Sequence, residues 1–337
     1  MAAERAVVVG AGSISGAWFP ALAAEGVQVP AVVDLDIERA RKRIAEFKLD
    51  AEAATSMRNM VRRYKPDFVI DLTVPEAHCG VTCTALKMGC HVIGEKPMAA
   101  TMSQARRMVA TADKCGKLYM VSQSRRWNAM HQATRDLIAA GKIGALTALN
   151  CDFFMGCHFG GFRDEMPSPL VLDMAIHHFD LARMLSAADP VAVYAREFNP
   201  AGSWYKGDAA ASCIFEMTGG VVFTYRGSWC AEGFHTSWNG DWRIIGQRGT
   251  IIMEKDQPPR GQVVAGDAGF NRPLADITVP EPKMEFTGMH GALREMLAFI
   301  RTGAKPQTEC HDNIKSLAMV LAAIESSRKE RRVPVRA

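Results

Sequence analysis

The first 125 residues alternate short runs of β-branched apolar residues with stretches of helical periodicity. RAVVVG (5–10), VPAVVD (29–34), DFVIDLT (67–73), CHVIGE (90–95) and KLYMVSQ (117–123) predict strands, and 15–25, 36–48, 77–88 and 101–115 predict helices between them. Continuous apolar strands separated by helices imply a doubly wound parallel sheet covered on both faces. Beyond about residue 145 the pattern changes. After a helix at 128–140, strands are predicted at 145–155, 191–198, 209–217, 220–229, 241–246 and 249–254, with MTGG (217–220) and GQRG (246–249) as hairpin turns. Strands joined by tight turns are antiparallel. The second half is therefore expected to be an α+β domain with a large, mostly antiparallel sheet, helices at 170–186, 290–302 and 311–329, and a Pro/Gly-rich loop at 256–273. The expected domains are 1–125 and 126–337, with the last helix free to pack back on the first.

One helix departs from simple amphipathicity. In DMAIHHFDLAR (173–183), a step of about 100° per residue puts Asp173, His177 and Asp180 on one stripe, with Leu172, Ala175, Ile176, Phe179 and Ala182 opposite. His178 points elsewhere, among Met174, Leu181 and Leu185, and reads as a packing residue. A helix apolar on most faces is buried. A carboxylate four residues before an imidazole in such a setting favours the imidazolium and makes a proton acceptor.

Composition narrows the classes of function. At 337 residues two domains are the default, and 48% hydrophobic with 23% charged residues is ordinary for a globular protein. The net charge of +4 comes from 40 basic and 36 acidic residues without long like-charged blocks, which argues against nucleic-acid and polybasic membrane partners. The start MAAERAVVVGAGS lacks a secretory signal and no apolar run approaches membrane-spanning length, so a cytoplasmic location with reduced cysteines is expected. Cys79, Cys83 and Cys90, near His78 and His91, do not form a compact metal-ligand pair and read as buried small residues; no metal is expected.

The candidate chemistry begins at VVVGAGSISG. Gly10 and Gly12 follow the first strand and precede the first helix, where a dinucleotide pyrophosphate meets backbone N–H groups, as in a Rossmann domain. The third small position is Ser15, followed by Gly16. The second strand ends at Asp34, a carboxylate placed to accept from ribose hydroxyls and repel a 2′-phosphate, which favours NAD over NADP despite Arg39 and Arg41 nearby. GEKPMA (94–99) then puts Lys96 at the carboxyl end of the fourth predicted strand, where open α/β sheets bind ligands.

With the glycine turn, EKP and the Asp-x-x-x-His helix in order, the chain resembles the Gfo/Idh/MocA family of NAD(P)-dependent sugar and cyclitol oxidoreductases over nearly its whole length, including SQSRRWNAMHQATRDLIAAGKIGAL (122–146) and NIKSLAMVLAAIESSRKERRVPV (313–335). The resemblance implies a catalytic set of Lys96, Asp173 and His177. It implies cofactor contacts from Gly10, Gly12, Ser13, Ile14, Asp34, Thr73, Pro75, His78, Glu95 and Lys96. Two departures bear on pocket shape: Ala175 stands where a glycine is common, and the approach to the helix reads MPSPLVL.

Oxidising a secondary alcohol requires the hydroxyl proton to leave as hydride passes to nicotinamide. His177 is the expected base, Asp173 its orienting partner and Lys96 the positive charge at the developing alkoxide, with the proton's division between lysine and histidine left open. The substrate wall is expected to include Lys96, Arg126, His158, Arg163, Asp173, His177 and Trp238, suited to a pyranose, glycoside, anhydrosugar or cyclitol. Two rivals remain at this point, a non-catalytic NAD-binding sensor and a reductase running the reaction backwards. A homodimer or homotetramer through the second domain's sheet is expected.

Overall fold

The computed structural model describes residues 3–280 and 283–337. Strands β1 (Arg5–Val9), β2 (Gln28–Val33), β3 (Glu52–Ala54), β4 (Phe68–Asp71), β5 (His91–Glu95) and β6 (Tyr119–Ser122) form a parallel sheet in the order β3-β2-β1-β4-β5-β6. The valine- and isoleucine-rich strands are buried on both faces beneath α1 (Ser15–Ala24), α2 (Ile37–Glu46), α3 (Met57–Tyr64), α4 (Pro75–Lys87) and α5 (Met102–Cys115), the expected doubly wound arrangement. The strand order reverses between β1 and β4, so the carboxyl ends of these two strands flank the switch point where such sheets bind ligands. β3 and α3 escape the hydrophobic pattern: β3 is a three-residue EAA and only Met60 and Val61 of α3 are buried.

The second sheet has nine strands in the order β14-β13-β12-β11-β7-β10-β9-β8-β15. They are β7 (Leu146–Phe154), β8 (Pro190–Phe198), β9 (Ala210–Met217), β10 (Val222–Ser228), β11 (Asp241–Gly246), β12 (Gly249–Met253), β13 (Arg260–Val264), β14 (Leu274–Thr278) and β15 (Val333–Pro334). All neighbours pair antiparallel except β7 and β10, which run parallel. The stretch expected as a loop at 256–273 contains β13 and leads into β14. These strands pair through backbone while most of their side chains stay exposed, so no apolar alternation announces them.

One face of this sheet carries the core. Phe179 of α8 (Ile176–Ser186) meets Phe215 edge-on at 4.8 Å and Tyr225 at 5.3 Å, and Phe223 stacks on Trp242 at 5.9 Å. Leu137 of α6 (Ala129–Ala139) and Met319 and Val320 join the same core. The other face leaves Tyr194, Ile214 and Val222 at 49%, 50% and 39% exposure.

By its internal contacts the chain divides into residues 1–127 with 285–317, and 128–284 with 318–337, the last boundary falling inside α10 (Cys310–Lys329). The segment 285–317, which includes the start of the last helix, thus groups with the first unit. The first unit holds it by α9 (Gly288–Thr302), whose His290 and Arg294 pair with Glu25 at 2.8 and 3.0 Å and whose Glu295 accepts from Trp127 Nε1 at 3.0 Å. Among the described residues no helix is long and apolar enough to cross a membrane.

Candidate active site

The glycine turn is built by steric exclusion. Gly10 has φ +101°, and a Cβ there would lie 2.5 Å from the Leu72 carbonyl oxygen, so the crossing of β1 and β4 admits only glycine. A Cβ at Gly12 would meet nothing within 4 Å, so the turn opens onto free space. Ser15 stands at the third small position and donates its Oγ to the Gly12 carbonyl at 2.7 Å. Among the described residues the N–H groups of Gly12, Ser13 and Ile14 donate to no partner. Orphan donors at the start of a helix fit a pyrophosphate.

Asp34 is fixed by the same turn. Its carboxylate accepts from Ala11 N at 2.7 Å and from Asp36 N at 3.0 Å, which holds it beside the glycine loop with lone pairs left over for hydroxyl donors. Arg39 pairs with Asp36 at 3.5 Å and Arg41 with Glu38 at 2.5 Å, while Arg43 pairs with Glu46 at 2.8 Å and donates to the Gly12 carbonyl at 3.2 Å, so each of these cations is engaged by a carboxylate near or on its own helix. The residues present fit NAD on these observations.

Other residues expected to touch the cofactor are used by the protein itself. His78 is 1% exposed, and its Nδ1 and Nε2 each lie 3.0 Å from a carbonyl oxygen, of Pro97 and Thr73. The ring ties the end of β4 to the segment after Lys96. Glu95 accepts from Trp18 Nε1 at 3.0 Å and from Lys96 N at 3.3 Å, and burial raises its carboxyl above the usual range against the pull of the indole bond. Thr73 donates its Oγ to Asp71 at 2.6 Å, and Pro75 is the first residue of α4. Lys96 and Thr73 are half-buried at strand carboxyl ends. Cys79, Cys83 and Cys90 are buried, their thiols directed to the carbonyls of Gln104, Arg107 and Pro66 respectively; burial pushes the Cys90 thiol to about 11.

In the second unit the helix bearing Asp173 and His177 begins as a π-helical segment, Leu170–Ala175, and continues as α8. Between residues 168 and 185 only Leu172, Asp173 and His177 are not buried. The π turn shifts the register between Asp173 and the regular helix, and Leu172 within it is partly buried against the core. Asp180, placed on the stripe of Asp173 and His177 by 100° steps, is 2% exposed and faces Arg183 at 3.8 Å. His178 is fully buried, stacked on Tyr225 at 5.6 Å and beside Phe153 at 5.0 Å.

Asp173 has a partner the sequence reading did not assign. Arg163 Nε donates to its Oδ2 at 2.7 Å, and the guanidinium lies over the rings of Phe159 and Phe162 at 5.0 and 4.7 Å. Phe159 continues the wall to Trp238 at 6.2 Å, both partly exposed. The flanking aromatics of HFGGFRDE, four and one residues before the arginine, were the available signal. His158 stacks on Trp204 at 3.6 Å and pairs with Glu232 at 3.2 Å, an exposed arrangement. Arg126 is 6% exposed in the first unit, donating to Gln307 O at 3.0 Å and Asp312 at 2.8 Å. Its guanidinium closes the turn before α10.

Comparison with known proteins gives the family. Residues 4–123 match the model of an oxidoreductase family with an NAD-binding Rossmann fold, and residues 131–252 match the GFO/IDH/MocA C-terminal domain. The chain belongs to the GFO/IDH/MocA oxidoreductase family. It is similar to a 1,5-anhydro-D-fructose reductase of Ensifer adhaerens, 26% identical over 330 residues that cover 95% of this chain and 95% of the relative. It is also similar to a D-apiose dehydrogenase of Paraburkholderia graminis, 27% identical over 327 residues, 93% of this chain and 84% of the relative. Its fold matches that of an oxidoreductase from Agrobacterium radiobacter, solved with NAD+, L-tartaric acid and magnesium, at a TM-score of 0.87 and 21% identity over 99% of each chain.

Proposed function

We propose that this GFO/IDH/MocA protein is an NAD-dependent oxidoreductase acting on a secondary ring hydroxyl of a sugar, glycoside, anhydrosugar or cyclitol. The observation that carries the reading is the accessible stripe of Asp173 and His177 in an otherwise buried helix, continuous through Arg163 with an aromatic wall. Apolar rings beside a few fixed polar groups suit a polyol ring, whose faces are C–H and whose rim is hydroxyl. The reductase and dehydrogenase names of two relatives across nearly the whole chain support the same class.

Gly12, Ser13, Ile14 and Asp34 would hold NAD, which when bound supplies the hydride acceptor. His177 takes the hydroxyl proton as the carbinol carbon gives up its hydride. Asp173, itself held by Arg163, orients that imidazole, and Lys96 stabilises the developing alkoxide. The same residues serve a reductase in the opposite direction. Asp34 favours NAD over NADP through the repulsion of a 2′-phosphate. Nine free cysteines fit a reducing, cytoplasmic compartment. The exposed face of the nine-stranded sheet fits a homodimer or homotetramer contact.

Incubating the protein with NAD, and separately NADP, and a panel of monosaccharides, glycosides, anhydrosugars and inositols while following NADH absorbance tests the reading. Activity with NAD on at least one ring polyol is expected. Tight NAD binding with turnover of none would point to a sensor instead.

A further inference from the structure

Arg163 retains binding capacity that the proposed reaction leaves unused. Its Nε is committed to Asp173 at 2.7 Å, and the rings of Phe159 and Phe162 lie against the guanidinium. Among the described residues Nη1 and Nη2 have no hydrogen-bond partner, and the side chain is 33% exposed. A guanidinium held at one edge by a carboxylate and on its faces by aromatic rings has little freedom to turn. Its remaining edge carries two N–H donors in a fixed fork, spaced for two neighbouring oxygens.

The charge of those oxygens follows from Asp173. That carboxylate already neutralises Arg163, so the pair brings no net positive charge to a carboxylate on the Nη edge. Hydroxyl oxygens accept from the same edge without adding charge. Phe159 and Trp238, 41% and 44% exposed, offer apolar surface alongside for the C–H face of a ring.

We propose that Arg163 grips two adjacent hydroxyl oxygens of a neutral ring substrate through Nη1 and Nη2, and so selects uncharged vicinal diols over sugar acids. The inference rests on the proposed function in taking the stripe of Asp173 and His177 as the substrate side of the protein.

The test is equilibrium binding to the NAD-loaded protein, by calorimetry and tryptophan fluorescence, of myo-inositol, D-glucose, 1,5-anhydro-D-glucitol and D-glucuronate, and of monodeoxy analogues of the tightest neutral binder. Neutral polyols should bind more tightly than glucuronate, and the two monodeoxy analogues that each lack one of a pair of adjacent hydroxyls should each lose at least about tenfold, the scale of a hydrogen bond to a charged group. Arg163→Lys, which keeps a charge for Asp173 but loses the fork, should cost the parent polyol more than it costs either of those two analogues. Arg163→Gln, compared at matched Tm, should behave alike. Preference for glucuronate, an equal loss on parent and all deoxy analogues, or binding of no neutral polyol overturns the inference. If the polyols bind in this pattern but no NADH forms, the inference stands and the proposed reaction falls.

Discussion

Lys96, Asp173 and His177 were legible as residues because their types and spacing carry chemistry, but their partners were not. Asp173 is bonded to Arg163, and the buried His78 spans two carbonyls, because such neighbours are fixed by packing rather than spacing. Lys96→Ala and His177→Ala are each expected to lower turnover by about a hundredfold or more, the scale of lost acid–base catalysis, while calorimetry still shows NAD binding. A near-wild-type rate in His177→Ala would remove the base. Glu197 gives a prediction in pH: it is 5% exposed and bonded to Ser168 at 3.3 Å, and burial pushes its carboxyl up to about 7 against the opposing Ser168 bond. The folded state therefore holds a proton that the unfolded chain releases above the ordinary value of 4.5. Stability should fall as pH rises from there to about 7, by up to about 3 kcal/mol, and level off above. Urea unfolding from pH 4.5 to 8 checks this, and Glu197→Gln should make the slope shallower.

At the scale of elements, strong periodicity was readable and weak periodicity was not. The parallel strands β1, β2, β4, β5 and β6 are short apolar runs, Val- and Ile-rich except for Tyr-Met-Val in β6, and largely buried, and sequence alone places them closely. β3 and α3 bury almost nothing, and β13 and β14 expose most side chains, so backbone pairing decides them. The π segment at Leu170–Ala175 is likewise invisible to a fixed 100° step, and Asp180, in the regular helix beyond it, is buried against Arg183 rather than open like His177. Helix α9 supplies a test of packing against propensity. A Cβ at Gly291 would lie 2.5 Å from Trp127 Cβ and Cγ, atoms close to the backbone of a residue 5% exposed. Gly→Ala in a free helix gains about 1 kcal/mol, whereas overpacking costs about 1–3 kcal/mol. With so short a contact the clash should win. Gly291→Ala should lower Tm, and a raised Tm would show that Trp127 yields cheaply.

For the whole molecule, the proposed assembly can be tested on the uncovered sheet face. Ile214, half exposed among Tyr194 and Val222, lies where a second copy would bury it. Light scattering should show a dimer or tetramer for the wild type and a smaller species for Ile214→Arg; a monomeric wild type would refute the assembly. The sequence by itself determined the class of each half, the glycine turn and the acid, base and lysine candidates, because hydrophobic period, glycine geometry and side-chain chemistry are local properties. Only the tertiary structure decided that residues 285–317 cluster with the first unit, that Arg126 is spent on Asp312 and Gln307, and that Arg163 faces Asp173 with an edge to spare. Those outcomes depend on which polar groups meet across tens to hundreds of residues, and the folded chain sets that by satisfying buried donors and charges together.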